Sequence, residues 1–370
     1  MPQRIITICF LLASLAQTNA QIVVRDSIDG SPVIQASVFD EHGFVLGATD
    51  MEGRLPELNG AQNISISHIS YQTKNMDVVG MGNQVLLVPL AYDIKEVVKE
   101  REKPYCLKLK CYYRHYRVNE NSKFGKELGT DVPPILSFEE GLYTMFFFDA
   151  GSVNNSTGYS QVSVDMNGNV IKNHSVLLDG WSISARPDVL RHSKYYDLRG
   201  DSCLKEIWRL EKKETFMVGL MRIDTLNKTI NISYDELAKN GKMSFNVGVA
   251  KGLWTVWKKN YVYRLTPYPK VGQSALLGYS EVVKNQGSAA ILSPNVTYDA
   301  WEYKEFFPYD AEYLNKKEYK EAKETAKNMT LPISDISQIR KKIRVPSLSP
   351  EIERKIVETR NWAESHRTQK

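Results

Sequence analysis

Apolar and polar side chains alternate with period two through most of this chain. In "VIQASVFD" (33–40), Val33, Gln35, Ser37 and Phe39 share one phase, and Ile34, Ala36 and Val38 the other. In "NISISHISY" (63–71), Ile64, Ile66 and Ile69 are interrupted by serines and a histidine. Successive side chains of a strand point to opposite faces, so such runs predict half-buried strands. "IVVRD", "FVLGATD" and "VLLVPL" are predicted as strands too, with turns at Asp29-Gly30-Ser31-Pro32, "EHG" and "DMEG" between them. Short strands separated by Gly, Asp and Asn turns predict an antiparallel β-sandwich over residues 21–92.

The same signals return between Ser137 and Phe307. "LYTMFFFDAGS", "ETFMVGLMRIDTLNKTINISYDE" and "KMSFNVGVAKGLWTVWKKNYVYRLTPY" are β-rich, and Asn167-Gly168 and Asn240-Gly241 are hairpin signals. They predict a second, larger antiparallel β-rich domain over 135–310, a meander that curves. Residues 93–134, charged and then rich in basic and aromatic side chains, read as a linker. Beyond 310 the period changes. "NKKEYKEAKETAKN" (315–328) has strong helix formers with Glu and Lys three and four apart. Ser349 as N-cap, Pro350 at the first helical position and Glu351 in the first turn predict a helix to about His366. Its stripe of Ile352, Ile356, Val357 and Ala363 is predicted to dock on the β-domain. The fold class is therefore mainly β, a sandwich and then an antiparallel domain with a helical, basic tail over 311–370.

The first twenty residues carry Arg4, an apolar run from Ile5 to Ala16 and a Thr-x-Ala ending. That is the pattern of a cleavable export signal, cut after Ala20. The run is too short to span a bilayer, which takes about 20 residues. The expected location is the periplasm or the outer-membrane surface, with no transmembrane segment after cleavage. Without Arg4 the chain has 47 basic and 43 acidic residues. The excess of four sits in 310–370, where 14 basic residues face 10 acidic ones. A neutral remainder does not call for nucleic acid, and export argues against it. "IRKKIR" (339–344) reads as a solvated face rather than a lipid contact. Too many Lys, Asp and Asn residues break the runs for an outer-membrane barrel.

In "VFDEHGFVLGATDMEGRLPE" (38–57), Gly43, Gly47 and Gly53 stand among acidic residues. The acids lack calcium-loop spacing, and no helix follows to make a phosphate cradle, so two tight turns are predicted. Val24, Asp26, Pro32, Val33, Ala36, Val38, Gly47, Thr49, Asp50, Gly53 and Tyr71 together resemble the pattern of the carboxypeptidase-regulatory-like domain. The chain departs from that pattern at Ser70, where the family has Gly, and at Arg54-Leu55, where it has Phe. The resemblance implies a seven-stranded, transthyretin-like sandwich with no catalysis of its own. "YDIKEVVKE" is similar to the ending such domains show in envelope proteins of Bacteroidetes-type bacteria. The later meander is similar, in pattern only, to half-barrel lipid carriers of the lipoprotein-localisation type.

Motifs that carry chemistry are missing. None of the six histidines is followed by Glu three residues on, and no H-E-x-x-H, G-x-S-x-G, Walker or G-x-G-x-x-G sequence occurs. No catalytic residue, cofactor or metal is therefore assigned. Cys106, Cys111 and His115 form a loose cluster without a second ligand pair, so the mature chain's cysteines, Cys203 included, read as thiols. Asp299, Trp301, Glu302, Tyr303 and Glu305 form the one candidate polar-aromatic site, weighed against an ordinary strand with packed aromatics. The expected function is that of an exported, non-catalytic envelope protein with a β-rich binding domain. Its expected partner is an envelope protein, or an apolar or glycan ligand. The alternatives are a half-barrel carrier, and a hydrolase with a carboxylate site within 137–307.

Overall fold

The computed structural model describes residues 21–92, 104–119, 136–148, 157–164, 170–172, 175–176, 188–191, 193–212, 214–247, 250–266, 273–289, 297–328, 333–343, 345–350, 352–354, 356–358 and 361. The export signal, the 167–168 hairpin, His174 and His192 lie outside them.

The first unit holds β1 (Val23–Asp26), β2 (Ser37–Asp40), β3 (Val45–Ala48), β4 (Asn63–Ser67), β5 (Lys74–Asp77) and β6 (Gln84–Leu87). Strands β3-β2-β4-β5 form an antiparallel sheet, and β1 pairs with β6 in parallel. The expected sandwich is there with six described strands rather than seven, plus isolated bridges such as Val23 to Arg54. Its core joins both sheets: Val24, Val38, Ile64, Ile66, Val85 and Leu87 are all buried. Gly53 shows why the turn needs glycine. Its φ is +76°, and a Cβ there would stand 2.6 Å from the Val24 carbonyl oxygen.

The second unit is one antiparallel sheet. It contains β7 (Cys106–Asn119), β8 (Leu136–Phe148), β9 (Thr157–Val164), β10 (Val170–Lys172), β11 (Ser175–Val176), β12 (Tyr196–Gly200) and β13 (Leu204–Leu210). Then come β14 (Thr215–Asp224), β15 (Thr229–Asp235), β16 (Met243–Val247), β17 (Ala250–Arg264), β18 (Leu276–Ala289) and β19 (Thr297–Leu314). The order is β10-β9-β8-β7-β19-β18-β17-β15-β14-β13-β12, with β11 on β9 and β16 on β17. The predicted meander is thus joined first strand to last, β7 against β19 over nearly their whole lengths. This moves a boundary. Part of the segment read as linker is a 14-residue strand near the middle of the sheet, and the last strand runs on to Leu314. Lys108 and Lys110 are part of the basic run in that segment. In the fold they sit beside Glu312 and Asp310 of β19, some 200 residues away in the chain.

The sheet curls. One face buries Leu109, Cys111, Met145, Ile207, Ile232 and Tyr263 in a single cluster, which also takes in Val189 and Leu190 of the short helical segment 188–191. The Tyr196 and Tyr234 hydroxyls meet at 2.7 Å although their strands are three steps apart, about 14 Å on a flat sheet. That face is concave. The convex face carries the sandwich and the tail, a helix α1 (Lys316–Asn328), a helix α2 (Ile333–Lys342), and residues 350–361, helical wherever described. Asn315 caps α1 by accepting from the amides of Lys317 and Glu318, while Glu318 accepts from the Asn315 amide. Ser349 Oγ accepts from the Ile352 amide, and Ile352 and Ile356 dock on the β-domain as predicted. Val357 of the predicted stripe is exposed, and Ala363 lies outside the described residues.

Candidate functional site

The acidic turns of the sandwich hold no open site. Asp40 Oδ1 accepts from the amides of His42 and Phe44, and Asp50 Oδ1 from those of Glu52 and Arg54. These carboxylates close the turns themselves. The thiols are spread out. Cys106 and Cys111 are buried on opposite faces of β7, and Cys203 is exposed. Burial pushes the Cys106 thiol up to about 11 and Cys111 higher still. His115, four residues beyond Cys111, is about 13 Å further along the strand.

The candidate residues Asp299, Trp301, Glu302, Tyr303 and Glu305 all lie on β19, and strand alternation divides them. Asp299, Trp301, Tyr303 and Glu305 face the convex side. Trp301 and Tyr303 pack with Phe39 of the sandwich and with Ile352 and Ile356. Asp299 accepts from Gln286 Nε2, and Glu305 is fully buried against Arg114, which also donates to the Pro346 carbonyl. Trp301, Tyr303 and Glu305 meet the sandwich and the tail, while the partners of Asp299, Gln286 and Lys284, are on β18. Glu302 alone points to the concave side. The basic-aromatic run of β7 divides likewise: Tyr112, Arg114 and Tyr116 lie under the sandwich and tail, and Tyr113, His115 and Arg117 face inward.

On the concave side the register assembles a belt of charge. His115 stands directly opposite Glu139 on β8 and Lys304 on β19; Lys304 stands opposite Glu281 on β18, and Glu281 opposite Lys259 on β17. One level along, an aromatic layer follows the same path through Tyr113, Phe306, Tyr279 and Tyr261. Lys304 Nζ is 3.2 Å from Glu302 Oε2 and 3.9 Å from Glu281 Oε2. His115 Nε2 is 3.7 Å and Arg117 Nε 3.6 Å from the Glu302 carboxylate. Lys259 Nζ reaches Glu236 Oε1 at 2.7 Å. Glu281 is 2 % exposed and accepts from the Trp257 indole at 2.7 Å.

The two carboxyls sharing Lys304 are pushed apart. Burial raises Glu281, against the pull of Lys304 and Lys259. Burial would raise Glu302 too, but the nearby His115, Lys304 and Arg117 outweigh it, and the net shift is downward. Lys304 is raised: Glu281 and Glu302 outweigh its burial. At the outer end of the belt, Asn285 donates to Glu302 Oε1 at 3.3 Å and stands opposite Trp254, whose ring centre is 5.0 Å from that of Trp257. Sequence reasoning reached Glu302 and missed Glu281, Lys304, Lys259 and Asn285. Their only local signal is a polar residue in the inward phase of a strand. No family model matches the chain, and no curated protein matches it. Among the described residues no helix is long and apolar enough to cross a membrane.

Proposed function

We propose that this is an exported, non-catalytic cell-envelope protein whose curved sheet binds a ligand at the concave charge belt. Its sandwich, of the carboxypeptidase-regulatory-like kind, serves as the structural brace. The observation that carries the reading is the loose belt itself. Ionisable groups from five adjacent strands are gathered on one inward face, with several contacts of 3.6–3.9 Å among them. Loosely spaced polar groups in a sheltered concavity suit a binding site better than a stability device. A lipid carrier would want an apolar cavity; the aromatic layer beside the belt is instead packed by its own side chains.

A hydrolase is the second reading, favoured by the opposite shifts of Glu281 and Glu302, the signature of an acid and a base. Lys304 reaches both carboxylates and ties them together, which speaks for binding instead. The test is native mass spectrometry of the full chain purified from the cell envelope. A small molecule should accompany the wild type and be lost from Glu302→Ala. An empty wild type would defeat the binding reading, and turnover abolished by both Glu281→Gln and Glu302→Gln would put the hydrolase in its place.

A further inference from the structure

We infer that the outer end of the belt is a subsite for a neutral, polyhydroxylated ligand, a saccharide chain, stacked on Trp254 and hydrogen-bonded by Asn285 and the Glu302 carboxylate. This rests on the binding reading and gives the ligand its chemistry. Two buried acceptors here have no hydrogen-bond partner among the described residues: Glu281 Oε2, on a side chain 2 % exposed and with Lys304 Nζ no nearer than 3.9 Å, and Asn285 Oδ1, on one 9 % exposed. Buried polar atoms are almost always paired, so two open acceptors on one face of β18 mark where a donor belongs. Both ask for a donor and neither for an acceptor.

The surrounding charges decide what kind of donor. A cation would approach Lys304 and Arg117, which already crowd Glu302. An anion would find those two engaged with Glu302 and would lie close to its carboxylate. An alkyl chain would leave both acceptors unfilled. Hydroxyl groups answer each objection, because they donate to carboxylate and amide oxygens without charge and accept from Arg117 or Asn285 Nδ2. The aromatic surface is also in place. Trp254 is directly opposite Asn285 in the ladder, and it packs beside Trp257 and Val283 at the edge of the concavity. The strand bends there, with a register shift between Trp254 and Val256. A flat ring beside planar carboxylate and amide groups offers a sugar ring its apolar face and its hydroxyl rim at once.

The test is titration of the full exported chain with maltohexaose, cellohexaose and tetra-N-acetylchitotetraose, reading tryptophan fluorescence and binding heat. The expected result is saturable binding of at least one of them at up to millimolar concentration. Trp254→Ala and Asn285→Leu should each weaken it about tenfold or more. Trp254→Phe, which keeps an aromatic face, should retain most of it. Trp254→Phe should keep the wild-type unfolding midpoint, and binding by the other two is read well below their own midpoints, where circular dichroism shows them folded. Absence of a saturable response with all three sugars overturns the saccharide assignment. So does an equal response from glycerol, or undiminished affinity in both weakened variants. If dioleoylphosphatidylglycerol vesicles or a fatty acid give the saturable, Glu302-dependent signal instead, the saccharide fails while the binding reading stands.

Discussion

The two faces of β19 are built from the same alternating sequence and behave as opposites. On the convex side, Arg114 and Glu305 are buried together, Phe39 lies edge-on to Tyr116 and Tyr303 with ring centres 6.3 and 5.9 Å away, and Arg222 bonds Asp29 and Tyr71 of the sandwich at 2.8 and 2.6 Å. On the concave side, Glu302, Lys304 and Glu281 are spaced more widely and two acceptors stay open. Buried polar atoms without a hydrogen-bond partner among the described residues occur on both faces, Trp301 Nε1 and Asn260 Oδ1 on the convex side and Glu281 Oε2 and Asn285 Oδ1 on the concave one. What separates the faces is that convex groups bridge to the sandwich and the tail while the belt stays within one sheet. Gly278 marks how close the convex contact is: a Cβ there would come within 2.9 Å of Ile69 Cδ1 in the sandwich.

If that contrast is right, the convex side should fail first. Arg114→Ala leaves Glu305 buried without its cation and should cost about 3–5 kcal/mol in urea unfolding, with Glu305→Gln on the same background recovering part of it. A loss below 1 kcal/mol would remove the distinction between the faces.

The next largest effect is in pH. His68 of the sandwich is buried, its Nδ1 accepting from the Ser70 amide, and burial lowers it from 6.5 to about 4. The neutral ring is the folded form, so its contribution is complete above pH 6.5. As pH falls from 6.5 towards 4, the unfolded chain takes up a proton that the folded chain refuses, and stability drops by about 3 kcal/mol. Urea midpoints of wild type and His68→Asn, compared across that window, should diverge in slope; parallel curves would show that the ring is not held neutral.

Asn315→Ala removes the cap of α1 and should cost about 1 kcal/mol, visible in the thermal midpoint. The smallest stability change belongs to the concave side. Glu302→Gln keeps the shape of a partly exposed group and should shift stability by less than about 1 kcal/mol while abolishing ligand retention. A large loss of stability there would make the belt a structural element after all.

The strands were legible because each one's alternation is written in its own residues. Ile64 and Ile66 of β4, and the glycine turns around Asp40 and Asp50, needed only local reading. β7 was not legible, since its lysines and arginines find their acids on β19, and nothing within 106–119 announces those partners. The five-residue candidate site shows the same limit. Its members share a strand, and closeness in sequence placed them together, but alternation sent four to the convex face, three of them against the sandwich and tail, and one to the belt.

What the sequence by itself determined was which residues would be extended, which would turn, and where the chain would change to helix. Those choices depend on neighbours within a few positions. Only the tertiary structure decided that Glu139, His115, Lys304, Glu281 and Lys259 form one row, because a ladder's register is set between strands far apart in the chain. A slip of one residue in any of those pairings would turn the belt outward and carry the convex core into the concavity.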